Sequence, residues 1–81
     1  MRVRVLAFAR LRELLGAGNL ERTLPDGATA AQAWDGLAAD FPALVPLTAS
    51  TRLARNGTAV GRDTVLRDGD ELALLPPFGG G

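Results

Sequence analysis

Residues 29–42, "TAAQAWDGLAADFP", decide how the rest of the chain is read. Thr29 and Gln32 stand three apart, the spacing of a capping box. There a hydroxyl and an amide each satisfy a backbone N–H that the first helical turn leaves orphaned. Behind them Ala30, Ala33, Trp34, Leu37, Ala38 and Phe41 recur at the helical period and form one apolar stripe, until Pro42 stops the helix. Burying Trp34, Leu37 and Phe41 contributes on the order of 2 kcal/mol each. The stripe therefore needs an apolar surface to lie on, and the flanking segments have to supply it.

Upstream, "RVRVLAFAR" has the period of a strand: Val3, Val5 and Ala7 fall on one face, Leu6 and Phe8 on the other. "LRELLG" reads as little more than one helical turn, with Leu11, Leu14 and Leu15 on one side and Gly16 as its C-terminal cap. "LERTL" alternates again, through Leu20 and Leu24, and ends in the turn at Pro25 to Gly27. Downstream, "ALVPLTAS" reads as a loop because of Pro46. "RLARNGTAV" offers two short strands around Asn56-Gly57, a strong tight-hairpin signal. After the turn at Asp68 to Asp70 a last strand runs through Leu72 and Leu74. The expected core is Val3, Val5, Leu24, Trp34, Leu37, Phe41, Leu72 and Leu74. Strands flanking one long helix, with the last strand beside the first, predict an α+β fold: a mixed sheet covered on one face, the plan of the ubiquitin-like β-grasp. A ferredoxin-like plan needs a second long amphipathic helix, and "LRELLG" is too short for that.

With 81 residues, 47% of them hydrophobic and 22% charged, the chain suits one small globular domain rather than a disordered segment. Residues 1–77 are expected to form it, with 78–81 as a flexible tail. Nine Arg balance nine Asp plus Glu, so charge gives no reason to expect nucleic acid or an anionic membrane as partner. There is no Cys, no His and no Lys. A disulfide framework, a thiol nucleophile, an imidazole base, Schiff-base chemistry and a side-chain isopeptide acceptor are thereby excluded. No apolar run approaches the roughly 20 residues that span a bilayer, and the start lacks a signal-peptide core, so a soluble cytoplasmic protein is expected. "RDGDE" reads as a solvated turn rather than a catalytic cluster, and neither Gly57 nor Gly61 belongs to a phosphate-binding glycine pattern. As an enzyme on its own the chain lacks the groups.

The chain ends on "LLPPFGGG". Two prolines after an apolar strand favour a stiff, extended exit, and from Pro76 to Gly81 the backbone can reach on the order of 20 Å. Glycines have no Cβ, so such a tail is thin enough for a narrow channel; a frayed terminus is the alternative.

Four stretches carry a resemblance: "VLAFARLRELLG", "LPDGATA" with the helix after it, "LARNGTAV", and "LRDGDELALLPPFGGG". At this spacing they resemble the MoaD branch of the MoaD/ThiS ubiquitin-like sulphur carriers, the small subunits of molybdopterin synthase. The ending is the most specific part: after Pro76 and Pro77 come two variable residues, Phe78 and Gly79, and then Gly80 and Gly81 as the terminal pair.

The resemblance implies chemistry on the chain's own terminus, for molybdenum cofactor (molybdopterin) biosynthesis. The Gly81 carboxylate would be adenylated and converted to a thiocarboxylate, with Gly79 and Gly80 as the slim approach. No cofactor would be bound stably; ATP would be used by a MoeB-like adenylating enzyme. The sulphur would pass to a pterin precursor in a large, MoaE-like synthase subunit. Phe8, Arg12, Ala59, Val60, Leu75 and Phe78 fall where the family meets its partners, with Ala59 where the family often has a larger residue. No metal site and no nucleic-acid or membrane contact are implied. Two alternatives stay open: a ThiS-like carrier for thiamine or another product, and a non-catalytic ubiquitin-like interaction module.

Overall fold

The computed structural model describes residues 1–77. In chain order it contains β1 (Arg2–Ala7), α1 (Ala9–Leu15), β2 (Asn19–Thr23), α2 (Ala30–Asp40), a 3-10 helix (Pro42–Leu47), β3 (Arg52–Arg55), β4 (Thr58–Val60) and β5 (Glu71–Leu75). The five strands make one sheet in the order β2-β1-β5-β3-β4. β1 and β5 run parallel, and the other neighbours are antiparallel. This is the β-grasp expected from the order of elements.

The helix that organises the sequence also organises the core. Thr29 and Gln32 form the capping box: the Gln32 N–H donates to Thr29 Oγ1 at 3.2 Å, and the Thr29 N–H donates to Gln32 Oε1 at 2.9 Å. Ala30, Ala33, Trp34 and Leu37 of α2 are buried against Val3 and Val5 of β1, Leu53 of β3 and Leu72 and Leu74 of β5. Trp34 is fully buried, and its indole N–H keeps a partner by donating to Thr48 Oγ1 at 3.0 Å. Leu24 and Phe41, expected in the core, are half-buried and pack on its edge. Leu11 and Leu15 of α1 and Leu66 of the β4–β5 connection complete it.

One segment departs from the sequence reading. Residues 43–50, expected as a loop, begin in the 3-10 helix, whose Leu44 is fully buried, and continue as turn. The φ near −65° that proline imposes is also a 3-10 value, so Pro42 and Pro46 shape the short helix instead of excluding it. At the end of α1, Gly16 takes the left-handed conformation, φ 75°, and its N–H reaches the Arg12 and Glu13 carbonyls. Among the described residues no helix is long and apolar enough to cross a membrane.

Candidate functional site

The side of the sheet turned away from α2 follows from register. Leu6 pairs with Ala73, Ala73 with Ala54 and Ala54 with Ala59, so one row of apolar side chains crosses β1, β5, β3 and β4. Their neighbours Val5, Leu72, Leu74 and Leu53 are buried under α2, and alternation therefore turns the row outward. Leu75 stands on the same outer side, opposite Arg52. Phe8 has just left β1 but is still extended, φ −129° and ψ 155°, so the alternation carries it to the side of Leu6, where it is 46% exposed. At the other end of the sheet the outer face becomes charged, with Arg4 between Glu21 and Glu71.

An apolar strip of Phe8, Leu6, Ala73, Leu75 and Ala59, with Ala54 buried between its neighbours at 6% exposure, thus lies beside the point where β5 ends at Leu75 and the backbone leaves the sheet through Pro76 and Pro77. The alanines leave its floor low, which lets a partner's backbone come close.

The other residues singled out from sequence fall in different places. Arg12 is exposed in the last turn of α1, and a Cβ on Gly18 would lie 3.3 Å from its Nε, so its side chain runs over the α1–β2 connection. Val60 pairs with Leu53 and packs against the core, on the opposite side of β4 from Ala59. An open depression of about 270 Å³ beside β4 is lined by Arg52, Ala59, Val60 and Arg62, among others. Phe78, Gly79, Gly80 and Gly81 lie outside the described residues.

The turn before β5 is more than the solvated loop that "RDGDE" suggests. Asp68 Oδ1 accepts from the Arg2 N–H at 2.7 Å. Asp70 is buried at 8% exposure; its Oδ2 accepts from the Arg67 N–H at 2.8 Å and its Oδ1 from Asn56 Nδ2 at 2.9 Å. Burial pushes its carboxyl pKa up, but the Arg67 N–H, the Asn56 amide and the charges of Arg55 and Arg67 outweigh that and hold it below the usual aspartate value. These carboxylates are occupied as structural acceptors. Among the described residues no three His, Cys, Asp or Glu side chains gather as metal ligands.

Sequence reasoning missed Ala54, Arg62 and the Asn56–Asp70 contact. Ala54 was open to it, since hairpin pairing around Asn56-Gly57 sets Ala54 against Ala59. The other two depend on tertiary placement and leave no local signal.

Comparison with known proteins places this geometry. The chain is 37% identical over 79 residues to the molybdopterin synthase sulfur carrier subunit of Arabidopsis thaliana, spanning 98% of this chain and 82% of that protein. It is 35% identical over 83 residues to the protein of the same name from Chlamydomonas reinhardtii, over the whole of both. A putative molybdopterin converting factor, subunit 1, from Pyrococcus furiosus superposes with a TM-score of 0.88 at 29% identity, over 96% of this chain and 99% of that one. The ThiS family model matches residues 5–81, from the first strand through the last glycine. A match of that extent, on a β-grasp, means that the chain belongs to the ThiS family.

Proposed function

We propose that this chain is a sulphur carrier for molybdopterin synthesis and that its working group is the Gly81 carboxylate. The observation that carries the reading is similarity over essentially the full chain to proteins named as molybdopterin synthase sulfur carrier subunits. The fold supports it by where β5 ends: the strand is held between β1 and β3 and leads out beside the apolar strip.

A carboxylate is a poor electrophile because its leaving group would be oxide. Attack of a Gly81 carboxylate oxygen on the α-phosphate of ATP, with departure of pyrophosphate, makes an acyl-adenylate whose leaving group is AMP. Sulphide-level sulphur from a donor then attacks the acyl carbon, the bond from that carbon to the AMP oxygen breaks, AMP departs, and the terminus becomes a thiocarboxylate. The activating enzyme supplies the nucleotide site and the donor chemistry, which suits a chain with no Cys, His or Lys. In this reading the large synthase subunit receives the tail in a channel. The partners dock on Phe8, Leu75 and the Ala59 side of the hairpin, Arg12 adds a polar contact, and Val60 supports the strand from beneath.

Intact mass after incubation with ATP, a cognate activating enzyme and a sulphur donor tests the proposal. The expected product carries sulphur in place of one terminal oxygen. Gly81→Ala should strongly impair conversion, and deletion of Gly80 and Gly81 or a one-residue extension should abolish it, all without changing the thermal melt. An extended chain that still gains sulphur at Gly81 without cleavage would refute the terminal chemistry and favour an interaction module.

A further inference from the structure

Asn56 is followed by Gly57, and this is the chain's sole Asn-Gly pair; Asn19 precedes Leu20. Asn-Gly is the asparagine sequence most open to attack by its own backbone, because no Cβ on the next residue shields the nucleophilic nitrogen. The pair forms the β3–β4 turn, with Asn56 exposed at φ 49° and Gly57 at φ 86°.

Exposed as it is, the Asn56 amide has both ends occupied. Its Nδ2 donates to Asp70 Oδ1 at 2.9 Å, and its Oδ1 accepts from the Glu71 N–H at 2.9 Å. The Asn56 backbone N–H donates to the Glu71 carbonyl at 2.8 Å, so backbone and side chain are both tied to the start of β5. Asp70 is anchored in turn by the Arg67 N–H and is largely shielded from water. For Cγ to swing onto the Gly57 nitrogen, both side-chain hydrogen bonds must break together.

We propose that Asn56 is a latent deamidation site, held shut in the native fold by Asp70 and the Glu71 N–H. Once the amide is free, the Gly57 nitrogen forms a bond to Asn56 Cγ and the Cγ–Nδ2 bond breaks. The leaving Nδ2 takes up the proton lost by the Gly57 N–H and departs as ammonia. Water then opens the succinimide at either carbonyl, giving aspartate or isoaspartate at position 56. Neither product restores the lock. A donor facing Asp70 has been replaced by a second negative charge, and isoaspartate also lengthens the turn backbone. The hairpin that carries Ala54 and Ala59 is left loosened at its tip.

The test ages the full chain at mildly alkaline pH, native and in urea in the same buffer, and follows ammonia loss by intact mass, with the site located by peptide mapping. Native protein should deamidate at Asn56 at least about tenfold more slowly than unfolded protein, since the reaction waits for a local opening. Asp70→Ala, checked for fold by circular dichroism, should accelerate the native reaction by about tenfold or more, the weight of a charge-assisted hydrogen bond in an opening equilibrium. Should Asp70→Ala fail to fold, Asp70→Asn replaces it: it keeps the side chain's size but loses a charge and an acceptor oxygen. Gly57→Ala should suppress the reaction in urea; in the folded turn an alanine is strained at the φ of 86° that Gly57 adopts, so this control is read in the unfolded chain alone. Equal native and unfolded rates, or a folded Asp70 variant that deamidates no faster than the parent, would overturn the proposal.

Discussion

Replacing Arg62 by Ala should cost this domain a large share of its stability while leaving the apolar outer strip in place. The Arg62 guanidinium donates to the carbonyl of Thr48 and, at 3.2 Å, to that of Thr51, and it lies 5.9 Å from the ring centroid of Trp34. Thr48 also accepts the Trp34 indole N–H, so one side chain ties the end of β4, the turn after the 3-10 helix and the central tryptophan together. Hydrogen bonds from a charged donor contribute about 1.5–3 kcal/mol each, and a partly exposed cation over an aromatic ring about 0.5–1 kcal/mol. These contacts share partners and do not add in full, so the expected loss is about 2–4 kcal/mol. A chain of this length has about 4–12 kcal/mol to lose, and its melting temperature should fall by about 10–25 °C. Urea unfolding followed by Trp34 fluorescence measures the loss. Arg62→Lys should fall between parent and Ala, because both bonds leave one nitrogen, Nη2, which an ammonium on a shorter side chain replaces only in part. A loss below about 0.5 kcal/mol accompanied by weakened association with the synthase partner would refute the clamp and make Arg62 a docking cation.

The outer strip and the buried aspartate give two further outcomes. Changing Phe8 and Leu75 together to Ser should move the melting temperature by only a few degrees, since both point away from α2. Under the proposed function it should weaken association with a large synthase subunit by about tenfold or more in a titration, as loss of apolar anchors does; collapse of the fold would show that this face is internal. Asp70 has a folded pKa below its ordinary value. Its stabilising effect is therefore complete above the unfolded value and fades as pH falls through that value toward the folded one. Acid melts of parent and Asp70→Asn should differ near neutrality and begin to converge only below about pH 4; a constant difference would mean that the charge is not what Asp70 supplies.

Much of the architecture was legible because its signals are local. The Thr29–Gln32 box, the alternation in Val3, Val5 and Ala7, and the Asn56-Gly57 turn each declare an element within a few residues. What escaped depends on partners far along the chain. Arg62 reads as one more surface cation until the 3-10 helix brings the Thr48 and Thr51 carbonyls to it. Asp70 reads as turn chemistry until Asn56 covers it. Val60 and Ala59 read alike, and only the register with Leu53 and Ala54 sends one to the core and the other outward. Pro46 reads as a breaker because a 3-10 helix as short as Pro42–Leu47 leaves neither an α nor a β period in the sequence. The role of the tail came from resemblance, since glycines carry no side-chain pattern to read.

The position of β5 between parallel β1 and antiparallel β3 has a mechanical side. A pull applied beyond Leu75 acts along the strand, so the ladders on both flanks resist in shear and share the load at once. An edge strand such as β4, pulled across its ladder, would peel one bond at a time. Under the sulphur-carrier reading proposed above, a partner that pulls on the chain beyond β5 would load both ladders together and transmit little slack into the domain. The sheet thus serves as a rigid handle at the end of β5.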